Sequence, residues 1–325
     1  MKPRAAALIA AAPIALAFAL SACERAKPLG PDPAAPNTAT ASQAPATPAR
    51  PPAWIEWRAD KDGGPRSYQA GPFTVTLTKQ ASEAGLRPHL AISDGKGAPL
   101  NLPGSGGSMT TAQAEFTAAA LDRQSEGQQL LVRTYTYGAH CCFAYQLVER
   151  QETSRGAQWI VHDLGQFDGA GMPTPKDVDG DGRLELLGGD QRFLYAFAAY
   201  AFSAVPPQVW ELVGGKLVDV SAAPRYRPAF EADAPSAGAL CAERREPGSC
   251  LAYAATMARL GRLSEAWPLI DAADPGAKDP SAAMECWGGR TLCLDDREIP
   301  VASFRDKVER FLEHLDYLPA QEAVR

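Results

Sequence analysis

From Asp177 to Glu185 an oxygen-bearing group recurs at every second residue. The run reads Asp177-Val178-Asp179-Gly180-Asp181-Gly182-Arg183-Leu184-Glu185. Calcium binds oxygen ligands alone, and a glycine at the sixth position lets the chain turn until those oxygens converge. The spacing predicts a Ca2+ site with carboxylates from Asp177, Asp179 and Asp181. Arg183 would add its backbone carbonyl, and Glu185 a further carboxylate or a bound water. A helix–loop–helix calcium hand requires a glutamate at the twelfth position, which here is Gly188. Leu186-Leu187-Gly188-Gly189 does not begin a helix either, so the loop is expected to join two strands.

The surrounding sequence agrees with that expectation. Phe73-Thr74-Val75-Thr76-Leu77-Thr78 alternates apolar and hydroxyl side chains, the pattern of a strand buried on one face. Gln129 to Tyr137, Phe143 to Glu149, Gln158 to Leu164 and Trp210 to Val220 are further strand candidates, the last turning at Gly214-Gly215. Phe193, Tyr195 and Phe197 also alternate and are expected to form one aromatic face of a core strand. A faint internal echo exists: Asp122-Arg123-Gln124-Ser125-Glu126-Gly127 aligns with Asp177 to Gly182, and both segments run into apolar residues. Gln124 replaces the second aspartate, so this copy is expected to keep the turn and lose tight calcium binding.

A calcium loop between strands resembles the loops of FG-GAP and VCBS repeats, which occur in integrin-like propellers and in many exported bacterial proteins. The resemblance matches Asp177, Asp179, Asp181, the Arg183 carbonyl and Glu185 to that family's ligand positions. Gly138-Ala139-His140-Cys141-Cys142, with Gly189-Asp190-Gln191-Arg192-Phe193, resembles a group of uncharacterised exported proteins, over roughly Leu121 to Ser221. The implied fold is a mainly β N-terminal domain, antiparallel and partial-propeller or sandwich-like, over residues 54–227. A small α-helical domain follows over 228–325.

Beyond Pro228 the composition shifts to Ala, Leu, Glu and Arg. Helices are expected over Leu251 to Leu260, ending at Gly261, and over Leu263 to Ala272. A third is marked by Phe304, Val308, Phe311, Leu312 and Leu315, with Ser303 and Asp306 at capping spacing. A helical unit this small is commonly braced covalently. Cys241 with Cys250 and Cys286 with Cys293 would close two local loops, whereas the crossed pairing would staple the two segments together.

Met1 to Ala22 reads as a secretory signal: Lys2 and Arg4 precede an apolar run from Ala5 to Leu20, interrupted by Pro13. Leu20-Ser21-Ala22-Cys23 resembles the lipobox of bacterial lipoproteins, which implies cleavage before Cys23 and acylation of that residue. Residues 23–53, rich in Pro, Ala and Thr, cannot bury enough surface to offset their ordering entropy and read as a tether. Glu24 stands where the lipoprotein family often places an aspartate for inner-membrane retention. The implied location is therefore the cell envelope, lipid-anchored at the outer membrane and facing the periplasm or the cell surface.

Loss of Lys2 and Arg4 moves the net charge from −6 to roughly −8, an acidic balance that argues against nucleic-acid partners. The remaining cysteines, Cys141, Cys142, Cys241, Cys250, Cys286 and Cys293, are even in number and in an exported chain point to disulfides. No zinc-protease helix, nucleophile elbow or phosphate loop appears, and His162-Asp163 has no identifiable nucleophile to serve. The sequence reads as a calcium-stabilised, non-enzymatic envelope scaffold for protein or glycan partners. The alternative is an envelope hydrolase or thiol-redox protein using His140 with Cys141 or Cys142.

Overall fold

The computed structural model describes residues 47–83, 85–106, 111–138, 142–154, 156–274, 276, 291–294 and 297–319. They belong to one compact unit, Ala44–Arg325. The signal, Cys23, most of the tether, His140, Cys141 and Cys286 lie outside the described residues, as does the side chain of Cys293.

Three antiparallel sheets fill the β region. β1 (Ile55–Arg58) leads through the short helix α1 (Ala59–Asp62) into a four-stranded meander. That meander consists of β2 (Arg66–Ala70), β3 (Phe73–Ser82), β4 (Gly85–Ser93) and β5 (Leu100–Pro103). A five-stranded sheet pairs β1 with β6 (Gln113–Ala119), then β7 (Gln129–Tyr135), β8 (Phe143–Thr153) and β9 (Gly156–Phe167). The third sheet comprises β10 (Thr174–Lys176), β11 (Glu185–Gly189), β12 (Pro207–Val213) and β13 (Lys216–Asp219). The mainly antiparallel β region followed by helices agrees with the class read from the sequence.

Side-chain alternation dictates how these sheets stack. In β3, Phe73, Val75 and Leu77 are buried while the intervening threonines are not. They share a core with Leu90 and Ile92 of β4, and with Trp57, Phe116, Leu130, Val132 and Val148 of the five-stranded sheet. β7 is buried on both faces: Leu130 and Val132 enter that core, while Leu131 turns to the opposite one. The second core joins Leu131, Tyr145, Leu147 and Phe167 to Leu186, Trp210 and Leu212 of the third sheet. The five-stranded sheet is therefore the middle layer, and each fully buried aliphatic side chain on it contributes about 1.5–3 kcal/mol.

The segment after β11 corrects one expectation. Phe193, Tyr195 and Phe197 do not form a strand: Gln191–Phe193 is a 3-10 turn, and Tyr195 takes a left-handed backbone (φ 61°) with its ring outward. Short-period alternation is shared by a strand and by an irregular loop that dips twice into a core. Asp190 decides the matter here, because its side chain accepts the Arg192 backbone N–H and starts the turn. Phe193 and Phe197 are buried as expected, but among helices, where Phe193 packs edge-on against Phe311 and Tyr317.

That helical core holds α2 (Arg227–Arg244), α3 (Pro247–Arg259), α4 (Leu263–Ala272) and α5 (Phe304–His314), with Leu292 of the hairpin β14 (Thr291–Leu294) and β15 (Arg297–Pro300). α4 and the cap of α5 match the sequence reading; Ser303 Oγ accepts the Asp306 N–H at 3.1 Å. A disulfide joins Cys241 to Cys250 across the turn between α2 and α3, one bond of the local pairing left open by the sequence; its other bond, Cys286 with Cys293, lies outside the described residues. Among the described residues no helix is long and apolar enough to cross a membrane.

The candidate cation loop and its arginine frame

Residues 177–184 connect β10 to β11, as the absence of a following helix predicts. The loop is folded by its own carboxylates. Asp177 accepts the Gly180 N–H at 2.7 Å on Oδ1 and the Gly182 N–H at 3.0 Å on Oδ2. Asp179 accepts from Asp181 at 3.1 Å, and Asp181 accepts from Arg183 at 2.8 Å. Gly182 has φ 86°, a conformation in which a side chain would be strained.

One ligand oxygen each from Asp177, Asp179 and Glu185 lies within 4.8 Å of the others. Oxygens that share one calcium ion lie no further apart than about twice a Ca–O distance of about 2.4 Å, so the three donors are close enough to meet on a single hard cation. Each carboxylate retains lone pairs beyond those used for backbone N–H groups. Asp181 lies outside this cluster and faces Arg123 at 3.7 Å. The Arg183 N–H is engaged with Asp181, and the Arg183 residue is exposed.

Glu185 is the buried member, 1% exposed at the start of β11. Burial pushes its carboxyl up to about 6, and the charges of Asp179 and Asp181 add to the rise. The Val178 N–H at 2.9 Å and the Arg123 guanidinium oppose it without cancelling it. Arg123 also reaches Glu211 at 3.2 Å, and Arg225 bridges Glu211 at 2.7 Å to Asp179 at 3.4 Å. Burial raises the Glu211 carboxyl, but Tyr226, Arg225 and Arg123 outweigh that and hold it below the usual range. Asp179, Asp181, Glu185 and Glu211 thus share two guanidiniums, while Asp177 meets only backbone N–H groups, and the remaining negative charge is what a divalent cation would offset.

Arg123 comes from the echo segment, which the fold places directly beside the loop. Gly127 has φ 87°, the counterpart of Gly182 in the alignment, so the turn is indeed kept. Asp122 is turned to another use: it accepts the N–H groups of Gln124 at 2.8 Å, Gly214 at 3.0 Å and Gly215. Burial raises its carboxyl, yet these three donors bring it net below the ordinary value. The sequence marked the echo as a degenerate calcium loop; it could not show that its second residue would supply the loop's counter-ion.

The other residues singled out in the sequence have structural surroundings. His162 Nε2 meets Glu149 at 2.9 Å, and Ser125 Oγ donates to the same carboxylate at 2.6 Å. The carboxylate stands between hydroxyl and imidazole, so His162 does not activate Ser125 as a nucleophile. Asp190 holds Arg192 at 2.6 Å and accepts from the Tyr317 hydroxyl at 3.1 Å, which makes Gly189-Asp190-Gln191-Arg192-Phe193 a junction between sheet and helices. Gly188 and Gly189 are required by close approach: a Cβ on Gly188 would lie 2.6 Å from the Gly171 carbonyl oxygen. Cys142 is disulfide-bonded.

Two known proteins are similar in sequence. A protein described as a probable thylakoid lumen protein of Synechocystis sp. is 33% identical over 234 residues, 68% of this chain and 65% of that protein. An uncharacterized protein of Sinorhizobium fredii is 30% identical over 172 residues, 52% of this chain and 26% of that protein. The chain therefore spans less than two thirds of the length of either relative. No protein-family model matches it, and no solved structure matches it significantly.

Proposed function

We propose that this chain is an exported, non-enzymatic envelope protein: a calcium-stabilised scaffold that binds protein or glycan partners and is anchored through lipidated Cys23. The observation that carries the calcium reading is the convergence of Asp177, Asp179 and Glu185 oxygens within 4.8 Å, in a loop whose carboxylates outnumber the arginines facing them. In such a site the ion would join β10 to β11 and relieve repulsion among the carboxylates, so its contribution is to folding. Export is supported by the basic and apolar start of the chain, by Leu20-Ser21-Ala22-Cys23, and by the lumenal description of the cyanobacterial relative. Partner binding is supported by three stacked sheets that end in loops, a framework on which recognition surfaces are commonly carried.

Calorimetric titration of the metal-free protein with calcium tests the reading. One calcium per chain is expected, with binding lost in Asp179→Ala. A protein that takes up no calcium at millimolar concentration would overturn it.

A further inference from the structure

The third sheet and α2 leave a cleft where they meet. One cavity there, of about 310 Å³, is walled by Arg133, Met172, Thr174 and Gly188, and Asp233 enters it alone from α2. A second, of about 390 Å³, lies between Lys176, Leu187 and Pro207 of the sheet and Pro228, Ala232 and Asp233 of α2. Gly188, Pro207 and Asp233 line both, so the two cavities adjoin. Each alone has the volume of a small-molecule site. Ala229, Ala232, Asp233 and Ser236 share one face of α2 by their three- and four-residue spacing, and their short side chains leave space that longer ones would fill.

Asp233 is the member of this cleft that packing does not explain. Its half-buried carboxylate accepts the Thr256 hydroxyl at 2.8 Å, and among the described residues no cation lies within ion-pair distance of it. Burial pushes this carboxyl up, and the Thr256 hydroxyl alone opposes the rise. Arg133 is already engaged, its guanidinium donating to Glu115 at 2.9 Å and to the Tyr145 hydroxyl at 2.8 Å. Lys176 lines the second cavity with Asp233 but forms no ion pair with it. An asparagine at 233 would accept the same Thr256 bond without burying an unpaired charge, so the fold alone gives no reason for a carboxylate there. An acid and an ammonium therefore stand apart in one cavity, with Leu187, Pro207 and Pro228 as its apolar wall.

We propose that this cleft binds a small zwitterion with an apolar body, an aliphatic amino acid or short peptide. Its ammonium pairs with Asp233, its carboxylate with Lys176, and its body lies against Leu187, Pro207 and Pro228. A few placed charges within apolar walls are the usual make-up of a small-molecule site. A dication would be repelled by Lys176 and a dianion by Asp233, and an uncharged apolar compound would cover both charges without pairing either. The inference goes beyond the scaffold reading above and requires no cation in the loop.

The full-length protein is titrated calorimetrically with L-leucine, 6-aminohexanoate and leucyl-leucine, with hexylamine and hexanoate as single-charge controls. Saturable binding of at least one zwitterion is expected, at least tenfold tighter than either control. Asp233→Asn should weaken it tenfold or more, with an unfolding midpoint unchanged or raised, because the Thr256 bond stays and the unpaired charge goes. Lys176→Gln should weaken it by a similar factor. Failure of all three zwitterions to bind would overturn the proposal, as would hexylamine or hexanoate binding as tightly as they do. Asp233→Asn binding like the parent would also overturn it, and so would a lowered midpoint in that variant, which would make the carboxylate a structural group.

Discussion

Arg123 donates a guanidinium N–H to the buried carboxylate of Glu185, 62 residues further along the chain. This pair puts a permanent cation on the carboxylate that the calcium reading needs as a ligand. Arg123 therefore supports the metal-free loop and competes with the ion for the loaded one. Arg123→Met should destabilise the metal-free protein by about 3 kcal/mol, the usual cost of leaving buried carboxylates without their partner. The same substitution should tighten calcium binding about tenfold. Urea denaturation in chelator and calcium titration measure the two effects separately.

Glu185 gives the metal-free protein a distinctive pH dependence. Its carboxyl lies at about 6 in the folded protein, above its ordinary 4.5. The folded state therefore holds this proton more tightly than the unfolded chain. The stability it contributes is present in full below about pH 4.5 and is lost as pH rises through about 6, a loss of about 2 kcal/mol. In chelator, Glu185→Gln should abolish this falling segment of the stability–pH curve. Calcium favours the ionised form, so its affinity should rise across the same window.

Asp122 binds three backbone N–H groups and ties the echo turn to the β12–β13 hairpin. Asp122→Ala leaves those donors unsatisfied and should cost about 2–3 kcal/mol, read as a lower urea midpoint. Because Asp122 contacts no loop carboxylate, calcium affinity should change less than twofold.

The Cys241–Cys250 bond closes a loop with a sequence separation of 9. Cys241→Ser with Cys250→Ser should lower stability by about 2–3 kcal/mol through the freed unfolded chain. The thermal midpoint of the double variant, with and without reductant, checks this: reductant should lower the parent by more than it lowers the variant, which keeps the Cys142 disulfide.

The cation loop and the middle of the β region were legible because their signals are local. Carboxylate spacing and the glycine at Gly182 specify a turn, and the alternation in Phe73–Leu77 specifies a face. α4 and α5 were equally plain, since each carries a clear start or stop. α2 was not, because Pro228, Pro235 and Gly238 speak against a helix; its Phe230 and Cys241 are buried by tertiary packing. The aromatic triplet misled because Asp190 caps a turn just before it. Arg123 and Glu211 could not be assigned to the loop from sequence, for only the stacking of the second and third sheets brings them there.

Thermal unfolding of the full-length protein in calcium and then in chelator tests the central claim most directly. A calcium-dependent rise in midpoint of several degrees, lost in Asp179→Ala, is the expected result. Equal midpoints in both conditions, with Asp179→Ala unfolding like the parent, would show that the loop is held by its arginines alone and contradict a calcium-stabilised fold.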